Sequence, residues 1–478
     1  MNRDSLISRL SAALFLAILI GAGGTQCPKA EWRGPGTDEF GGQGAPRLTG
    51  VWSVAMGQQP LDGSVDDLVT FKEKVLAAGS FQSSGDMWLG GVARWDDVEW
   101  GPLGAGTNGA VVDLTVYDGI LVAAGSFTIA GGVPTGRIAL WNGANWTSPA
   151  GGCNDFVTCL AVYKGRLIVG GGFTSVGGQA VNHIAAWDGA SWHPLGTGTN
   201  HSVTALGVYG DDLYASGWFT QAGGVDADYI GRWDGSSWFP VAGGLDDPAF
   251  AFEVWDGRLV AGGQFTSAGG QSALRVAQWD GAAWSSLGGG LDGPWAFPKA
   301  RALASFQGDL YAGGLFRHAG TEPCSYIARW DGESWSPLGS GLNDQSYAML
   351  DLSDRLLVGG AFTTAGELET HYVASWLLAS SGLDDPEAER FQVRCANPYQ
   401  PGGPIRLENP PGGRLEVGVF DVAGRKIWQV LEVPNGAGDV EVFWDGRSCT
   451  GRRTAAGVYY LRAVTPRERL VRCLVLAE

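Results

Sequence analysis

Two sets of side chains in this chain have the chemistry and the spacing to build a site. Ten residues after a recurring Phe stand Gly91, Arg137, His183, Tyr229, Arg275, Tyr326 and Tyr372. Eight residues after a recurring Trp stand Asn108, Asn154, Asn200, Asp246, Asp292 and Asn343. Arg, Tyr and His beside Asn and Asp suit hydrogen bonding and stacking against sugars or peptide, so both columns are expected to bind a ligand. The competing expectation is structural: Asn and Asp close turns with their own side chains, and Tyr and Arg cover apolar edges. Calcium would need several of these oxygens converging at about 2.3–2.6 Å, which six separate loops do not offer. No metal or other cofactor is expected.

Catalytic constellations are sparse. The five histidines, His183, His193, His201, His318 and His371, form no His-x-His or His-Glu-x-x-His pair. Asp211-Asp212 and Asp246-Asp247 are adjacent carboxylates, a spacing that usually points the two apart and marks turns. There is no Gly-x-Ser-x-Gly elbow and no phosphate-binding loop. A noncatalytic binding protein is the reading these residues favour. A polysaccharide-active enzyme and a purely structural surface component are the alternatives.

The elements that position both columns come from a repeat. Its Phe falls at Phe81, Phe127, Phe173, Phe219, Phe265, Phe316 and Phe362, in steps of 46 residues with one of 51. A Trp follows each Phe by 14 residues, from Trp95 to Trp376, and a second Trp follows five later in the first six copies. The seventh copy stops at Trp376-Leu377, while Gly50-Val51-Trp52-Ser53 matches the missing piece. Each copy divides into four short apolar runs, in the third copy 157–163, 167–173, 183–187 and 191–195. Runs this short, separated by Asp-Gly and Lys-Gly turns, are strands. Four strands every 46 residues predict a β-propeller of seven blades, closed when the N-terminal strand completes the last blade. In that arrangement the second-to-third and fourth-to-first loops leave one face, which brings both columns to the mouth of the channel. Trp-Asp-Gly-x-x-Trp places two indoles across a hairpin, each worth roughly 4–6 kcal/mol at most when buried. Gly pairs such as Gly262-Gly263 and Gly359-Gly360 imply that neighbouring blades approach closely there.

The chain has 478 residues, with 77 Gly and 21 Trp, a composition of many tight-turned strands rather than of disorder. Residues 1–26 read as an export signal, with Arg3 and Arg9 ahead of an apolar run over 10–20. That run is too short to span a membrane, and no later segment qualifies. Cys27 also raises lipidation, although Gly-Thr-Gln before it lacks the usual Leu. Cys153 and Cys159 could pair across one loop, and Cys395, Cys449 and Cys473 share the C-terminal region with at least one left over. The formal net charge is −17, which excludes nucleic acid as a partner. The expected organisation is signal 1–26, extension 27–49, propeller 50–377, linker 378–389 and a second domain over 390–478. Alternating runs at 391–395, 415–420, 426–431, 439–444, 457–463 and 469–476 make that domain a small antiparallel sandwich.

The repeat Gly-Gly-x-Phe-Thr-x-Ala-Gly-Gly resembles bacterial propellers with kelch-like repeats and the repeat of the fungal cell-polarity marker propeller. It departs from a true kelch repeat in having Trp-Asp-Gly where that repeat favours Tyr-Asp. The resemblance covers roughly residues 50–377 and implies a seven-bladed, commonly extracellular binding scaffold with no single activity. Phe420-Asp421-Val422-Ala423-Gly424-Arg425-Lys426, Trp444-Asp445-Gly446-Arg447 and Ala456-Gly457-Val458-Tyr459-Tyr460-Leu461 resemble the FlgD-like immunoglobulin-type domain. The same pattern occurs in C-terminal sorting domains of the type IX secretion pathway, which implies contact with secretion machinery. The final Leu474-Val475-Leu476-Ala477-Glu478 lacks the terminal basic residue typical of such sorting domains. The protein expected from all this is secreted or displayed on a bacterial surface, with a carbohydrate or protein ligand.

Overall fold

A computed structural model describes residues 50–54, 60–96, 99–378, 392–395, 399, 401, 404–408, 413–421, 426–435, 440–448, 452–464 and 469–476. The export signal, Cys27 and most of the linker lie outside these residues. So do Cys449 and the side chains of Cys395 and Cys473. The described residues are all strand, turn and loop, and none of them forms a helix able to cross a membrane.

Seven four-stranded antiparallel sheets lie between residues 50 and 378. Sheets 1 to 7 begin with the strands Val65–Phe71, Val111–Tyr117, Val157–Tyr163, Val203–Tyr209, Ala249–Trp255, Lys299–Phe306 and Ser346–Asp351. Within sheets 1 to 6 the four strands follow one another as an antiparallel meander, and in sheet 7 the first three do. The third sheet runs Val157–Tyr163, Arg166–Gly171, Ile184–Trp187 and Trp192–Pro194. Five of these bounds differ from expectation by one or two residues, and two of the differences matter. The repeat Phe leaves the second strand and turns inward, where all seven are essentially inaccessible. His183 stands just before the third strand, at the end of a turn.

Turn chemistry explains the hairpins. Asp118-Gly119, Lys164-Gly165 and Asp256-Gly257 all carry positive φ at both positions, as a tight first hairpin needs. The Asp-Gly pairs of the other hairpin work differently. Only the Gly has positive φ there, while Asp188 Oδ1 accepts the N–H groups of Ala190 and Ser191 at 2.9 and 2.8 Å.

The last sheet is completed from far away in sequence. Gly50–Val54 pairs antiparallel with Val373–Leu378, Trp52 opposite Trp376. Paired indoles recur in every sheet, with ring centroids 5.0–5.4 Å apart. The second indole of the pair also reaches the previous sheet. Trp146, Trp192, Trp238 and Trp335 donate Nε1–H to Leu103, Pro149, Leu195 and Leu287 carbonyls at 2.8–3.0 Å, and Trp52 does the same to Leu338 at 2.9 Å.

First strands pack side by side through the series, and that of sheet 7 packs on that of sheet 1. Small residues allow this approach. A methyl group on Gly359 of sheet 7 would stand 2.6 Å from Val65 Cγ1 of sheet 1, so only Gly fits there. Each core lies between neighbouring sheets. One such cluster joins Val65, Leu68 and Phe81 to Ala348, Leu357 and Val373.

The C-terminal region forms a three-stranded sheet (Gln392–Cys395, Pro404–Glu408, Val440–Phe443) and a four-stranded one (Lys426–Asn435, Gly413–Asp421, Gly457–Val464, Arg469–Leu476). Both contribute to one core around Trp444, which Tyr399 stacks at 5.9 Å. The strand Pro404–Glu408 was not expected. Its Pro occupies the first position, where a missing N–H is tolerated.

Candidate functional site

The first column sits in an unusual backbone conformation. Arg137, His183, Tyr229, Arg275, Tyr326 and Tyr372 have φ between 59° and 76°, where sheet 1 has Gly91 at 75°. Both backbone groups are pinned. His183 N–H donates to the Phe173 carbonyl at 2.9 Å, and its own carbonyl accepts from Gly171 at 3.0 Å, with the same pattern around Tyr229, Arg275, Tyr326 and Tyr372. A left-handed residue is what returns the chain from the loop into the third strand. For a side chain larger than Gly this costs roughly 1–3 kcal/mol. Tyr326 is buried and the other five are half-buried, so the column forms a wall rather than a row of exposed contacts.

The first column meets the loops that carry the second at one end of the sheets, and Arg275 and Asp292 meet directly. Arg137 donates to the Cys153 carbonyl at 3.3 Å, His183 stacks on His201 at 6.3 Å, and Arg275 approaches Asp292 at 3.6 Å. Burial, with His201 beside it, holds the His183 imidazole below its ordinary pKa.

Asn and Asp in the second column spend their side chains on their neighbours. Asn154 Oδ1 accepts the N–H groups of Thr174 and Ser175 at 2.9 and 3.0 Å, and its Nδ2 donates to Thr174 Oγ1 at 3.0 Å. Asn108, Asn200 and Asn343 repeat this arrangement, and Asp246 does so with Thr266 and Ser267. Each clamps the loop entering a sheet to that sheet's own second-to-third loop. Asp62 is a further member, holding Gln82 and Ser83, and it escaped the sequence pattern because it follows Trp52 by ten residues instead of eight. Asp292 departs from the set. The five-residue insertion shifts its neighbours, and its exposed carboxylate faces Arg275.

A further group, outside both columns, lies at the same end, where the first strands begin. The bulged position of each first strand, where the pairing register shifts, holds Asp66, Val112, Thr158, Thr204, Phe250, Arg301 and Tyr347. Thr158 and Thr204 donate to the carbonyls of Val203 and Ala249 at 2.6 Å, stitching strand to strand. The other polar and aromatic members have a different role. Arg301 lies over the Tyr347 ring at 4.5 Å, and Lys299 over Phe250 at 6.0 Å. Burial lifts Asp66 to about 6, against the pull of nearby Arg301. Trp218 and Phe156 join them, 44% and 41% exposed; Phe156 lies across Gly172. The signal was in the sequence: at these positions the repeat varies in chemistry while its frame does not.

Buried polar atoms without partners gather here. Of ten such side-chain atoms among the described residues, six belong to Thr135, His183, Asp247, Arg275, Gln345 and Thr370, all in the loops of this end. An unpaired buried group usually costs about 1–3 kcal/mol, so a concentration at one end needs a cause.

Other expectations resolve simply. Asp212 pairs with Arg232 at 2.7 Å, while Asp211 contributes its carbonyl to Tyr163 at 2.9 Å. Asp246 and Asp247 point to different partners, Thr266 and Gln264. No group of three or more metal-ligating side chains exists among the described residues. Cys153 and Cys159, which their spacing would have let pair, are both free and buried, as is Cys324. They lie on different parts of the core, Cys153 packing between sheets 2 and 3 and Cys159 between sheets 3 and 4. One carboxyl pair was unforeseen. Asp67 and Asp113 hydrogen-bond to each other from adjacent first strands, and burial pushes Asp67 to about 7 and Asp113 well above the carboxylate range. Asp67 also accepts Leu114 N–H at 2.7 Å, and Asp113 accepts Leu160 N–H at 2.6 Å.

Repeated four-stranded meanders packed through their first strands define a β-propeller, and its loop end defines the candidate site. In sequence, residues 256–278 match the β-propeller domain of unknown function DUF5122. No curated protein matches the chain in sequence. Among solved structures, the chain is similar to PorZ, an essential bacterial surface component of the type IX secretion system of Porphyromonas gingivalis. The identity is 13% over 88% of this chain and 60% of that one, with a TM-score of 0.33. It is also similar to a glycoside hydrolase family 43 arabinoxylan arabinofuranohydrolase from Bacillus subtilis, at 13% identity over 88% of this chain and 96% of that one, with a TM-score of 0.24. The chain thus spans 60% of the PorZ chain's length. Likeness at this level carries nothing about ligand or activity.

Proposed function

We propose that the chain is a secreted or surface-displayed, noncatalytic binding protein. Residues 50–377 make a seven-bladed propeller of kelch-like type closed by its N-terminal strand, and residues 390–478 make an immunoglobulin-like domain of the FlgD type for export or attachment. Closure is supported by the pairing of Trp52 with Trp376 and by the packing of the last first strand on the first. Export rests on the apolar run within residues 1–26, and a sorting role rests on the sequence pattern from Phe420 to Leu461. The ligand, carbohydrate or protein, sits at the channel mouth.

One observation carries the binding reading: unpartnered buried polar atoms and exposed aromatics concentrate at one end of the sheets. Six non-Gly residues held at positive φ, where Gly91 suffices in sheet 1, point the same way, because the strained backbone keeps their side chains in place. The Asn/Asp column shapes the rim. The test is binding of the full chain to glycan and protein arrays, compared with Trp218→Ala. Retention that depends on Trp218 supports the reading, and no retention of anything favours a structural surface component. A reporter carrying residues 390–478 checks export, and one that stays in the periplasm refutes sorting.

A second reading, hydrolysis of polysaccharide, is favoured by the Asp67–Asp113 carboxyl pair, since a carboxyl kept protonated near neutral pH suits a general acid. Both carboxyls also tie one strand to the next, which is a structural task. Sugar release that Asp113→Asn abolishes would establish this second reading.

A further inference from the structure

We infer that the channel mouth selects acidic polysaccharide, specifically chains bearing uronate carboxylates; this rests on the binding reading above and gives its ligand class. Lys299 and Arg301 stand two residues apart at the start of one first strand, close enough that Arg301 adds to burial in lowering the Lys299 pKa. Among the described residues neither has a carboxylate within ion-pair distance. Asp66 is the carboxylate that feels Arg301; with its pKa pushed by burial to about 6 it stays mostly ionised at neutral pH, one negative charge set against two positive ones. Two cations thus repel each other without full compensation, in a chain of formal net charge −17. Such an arrangement is stabilised by an anion from outside.

The cations are held in presenting positions. Arg301 is exposed and rests on the Tyr347 ring at 4.5 Å, which fixes the guanidinium plane for a planar, two-pronged partner. A carboxylate has that geometry. Gln345, just ahead of Tyr347, holds a buried Oε1 with no partner, a ready acceptor for a sugar hydroxyl. In the sheets before them, Phe156 and Trp218 expose flat faces at the same end. Aromatic faces suit the apolar faces of sugar rings, and the cations suit a carboxylate. A uronate polymer offers both groups on each unit, whereas an acidic peptide offers carboxylates without the stacking face.

The experiment titrates the full chain by calorimetry with oligogalacturonate and alginate oligomers, with neutral cello-oligosaccharides and poly-glutamate as comparators. Uronate oligomers are expected to bind, more weakly at 0.5 M NaCl than at 0.05 M. Arg301→Ala and Lys299→Ala should each weaken binding about tenfold or more. Arg301→Lys should recover part of it, and Arg258→Ala, in a hairpin at the other end of sheet 5, should leave it unchanged. Thermal unfolding of each variant separates lost folding from lost binding. Uronate binding indifferent to Arg301 and Lys299 in folded variants overturns the inference, and so does preference for poly-glutamate. Neutral glycan bound through Trp218 but not Arg301 overturns it while leaving the binding reading intact. Failure to bind any glycan or protein overturns both.

Discussion

Trp52 and Trp376 face each other across an antiparallel pair of strands, their ring centroids 5.0 Å apart, although one lies near the start of the described chain and the other at the end of the last sheet. Trp52 also donates Nε1–H to the Leu338 carbonyl of sheet 6, the bond its counterparts make one sheet earlier. One residue therefore holds the last sheet together and joins it to its neighbour.

Trp52→Ala should destabilise the protein by about 2–4 kcal/mol, a little under the usual cost for a fully buried Trp because Trp52 is half-buried. Val51 on the same strand is 55% exposed, so Val51→Ala should cost far less. Equal losses in urea unfolding of the two variants would mean that this strand does not hold the last sheet.

Asn154→Ala removes three hydrogen bonds and should cost about 1–2 kcal/mol, whereas Asp292→Ala, outside the clamp, should cost little. Both should leave ligand binding within about twofold. A large affinity loss with unchanged melting temperature for Asn154→Ala would make that column a contact surface after all.

Stability should fall as pH rises from 5 to 8. Burial raises Asp66 to about 6 and Asp67 to about 7, above the ordinary carboxylate value near 4. The folded protein thus holds these protons more tightly than the unfolded chain. Their contribution is full below about pH 4 and is lost as pH climbs through 6 and 7. Asn at position 113 mimics the protonated partner, donating to Asp67 while accepting from Leu160. Asp113→Asn should flatten the slope by on the order of 1–2 kcal/mol. Melting curves of wild type and variant that run parallel across pH 5–8 would count against a shared proton.

Cys153, Cys159 and Cys324 should resist thiol reagents until the protein unfolds. Burial pushes Cys153 and Cys324 up to about 12 and Cys159 higher still, so thiolate is scarce at neutral pH. Rapid labelling of the native protein at any of the three, or a Cys153–Cys159 disulfide found by mass spectrometry, would contradict the packing described.

Much of the frame was legible in residue spacing. Steps of 46 residues between Phe columns, the Trp pairs and the Gly50–Ser53 fragment each encode local geometry: a strand length, a hairpin register, a missing edge. Local rules act over a few residues, so a period written in the chain reappears as a period in the sheets. Even the positive φ of Asp118-Gly119 could be read in advance.

The site was legible only as a direction. Spacing placed Arg137, His183 and Arg275 at the same end as the Asn and Asp loops, and there they meet. Spacing could not tell that Asn154 would spend its amide on Thr174 and Ser175, nor that Asp62 belonged to that set. Which donors a side chain finds depends on how the entering loop lies against the next, and that follows from packing between residues twenty apart. The cluster of Asp66, Arg301 and Tyr347 is a stronger case, because its members come from opposite ends of the repeat array and become neighbours only when the last first strand packs on the first. By itself the amino-acid order determined the strands, their turns and their repetition. Tertiary structure alone decided which polar groups are consumed by the fold and which stay unpaired, since solvation and pairing are set by neighbours that sequence distance does not reveal.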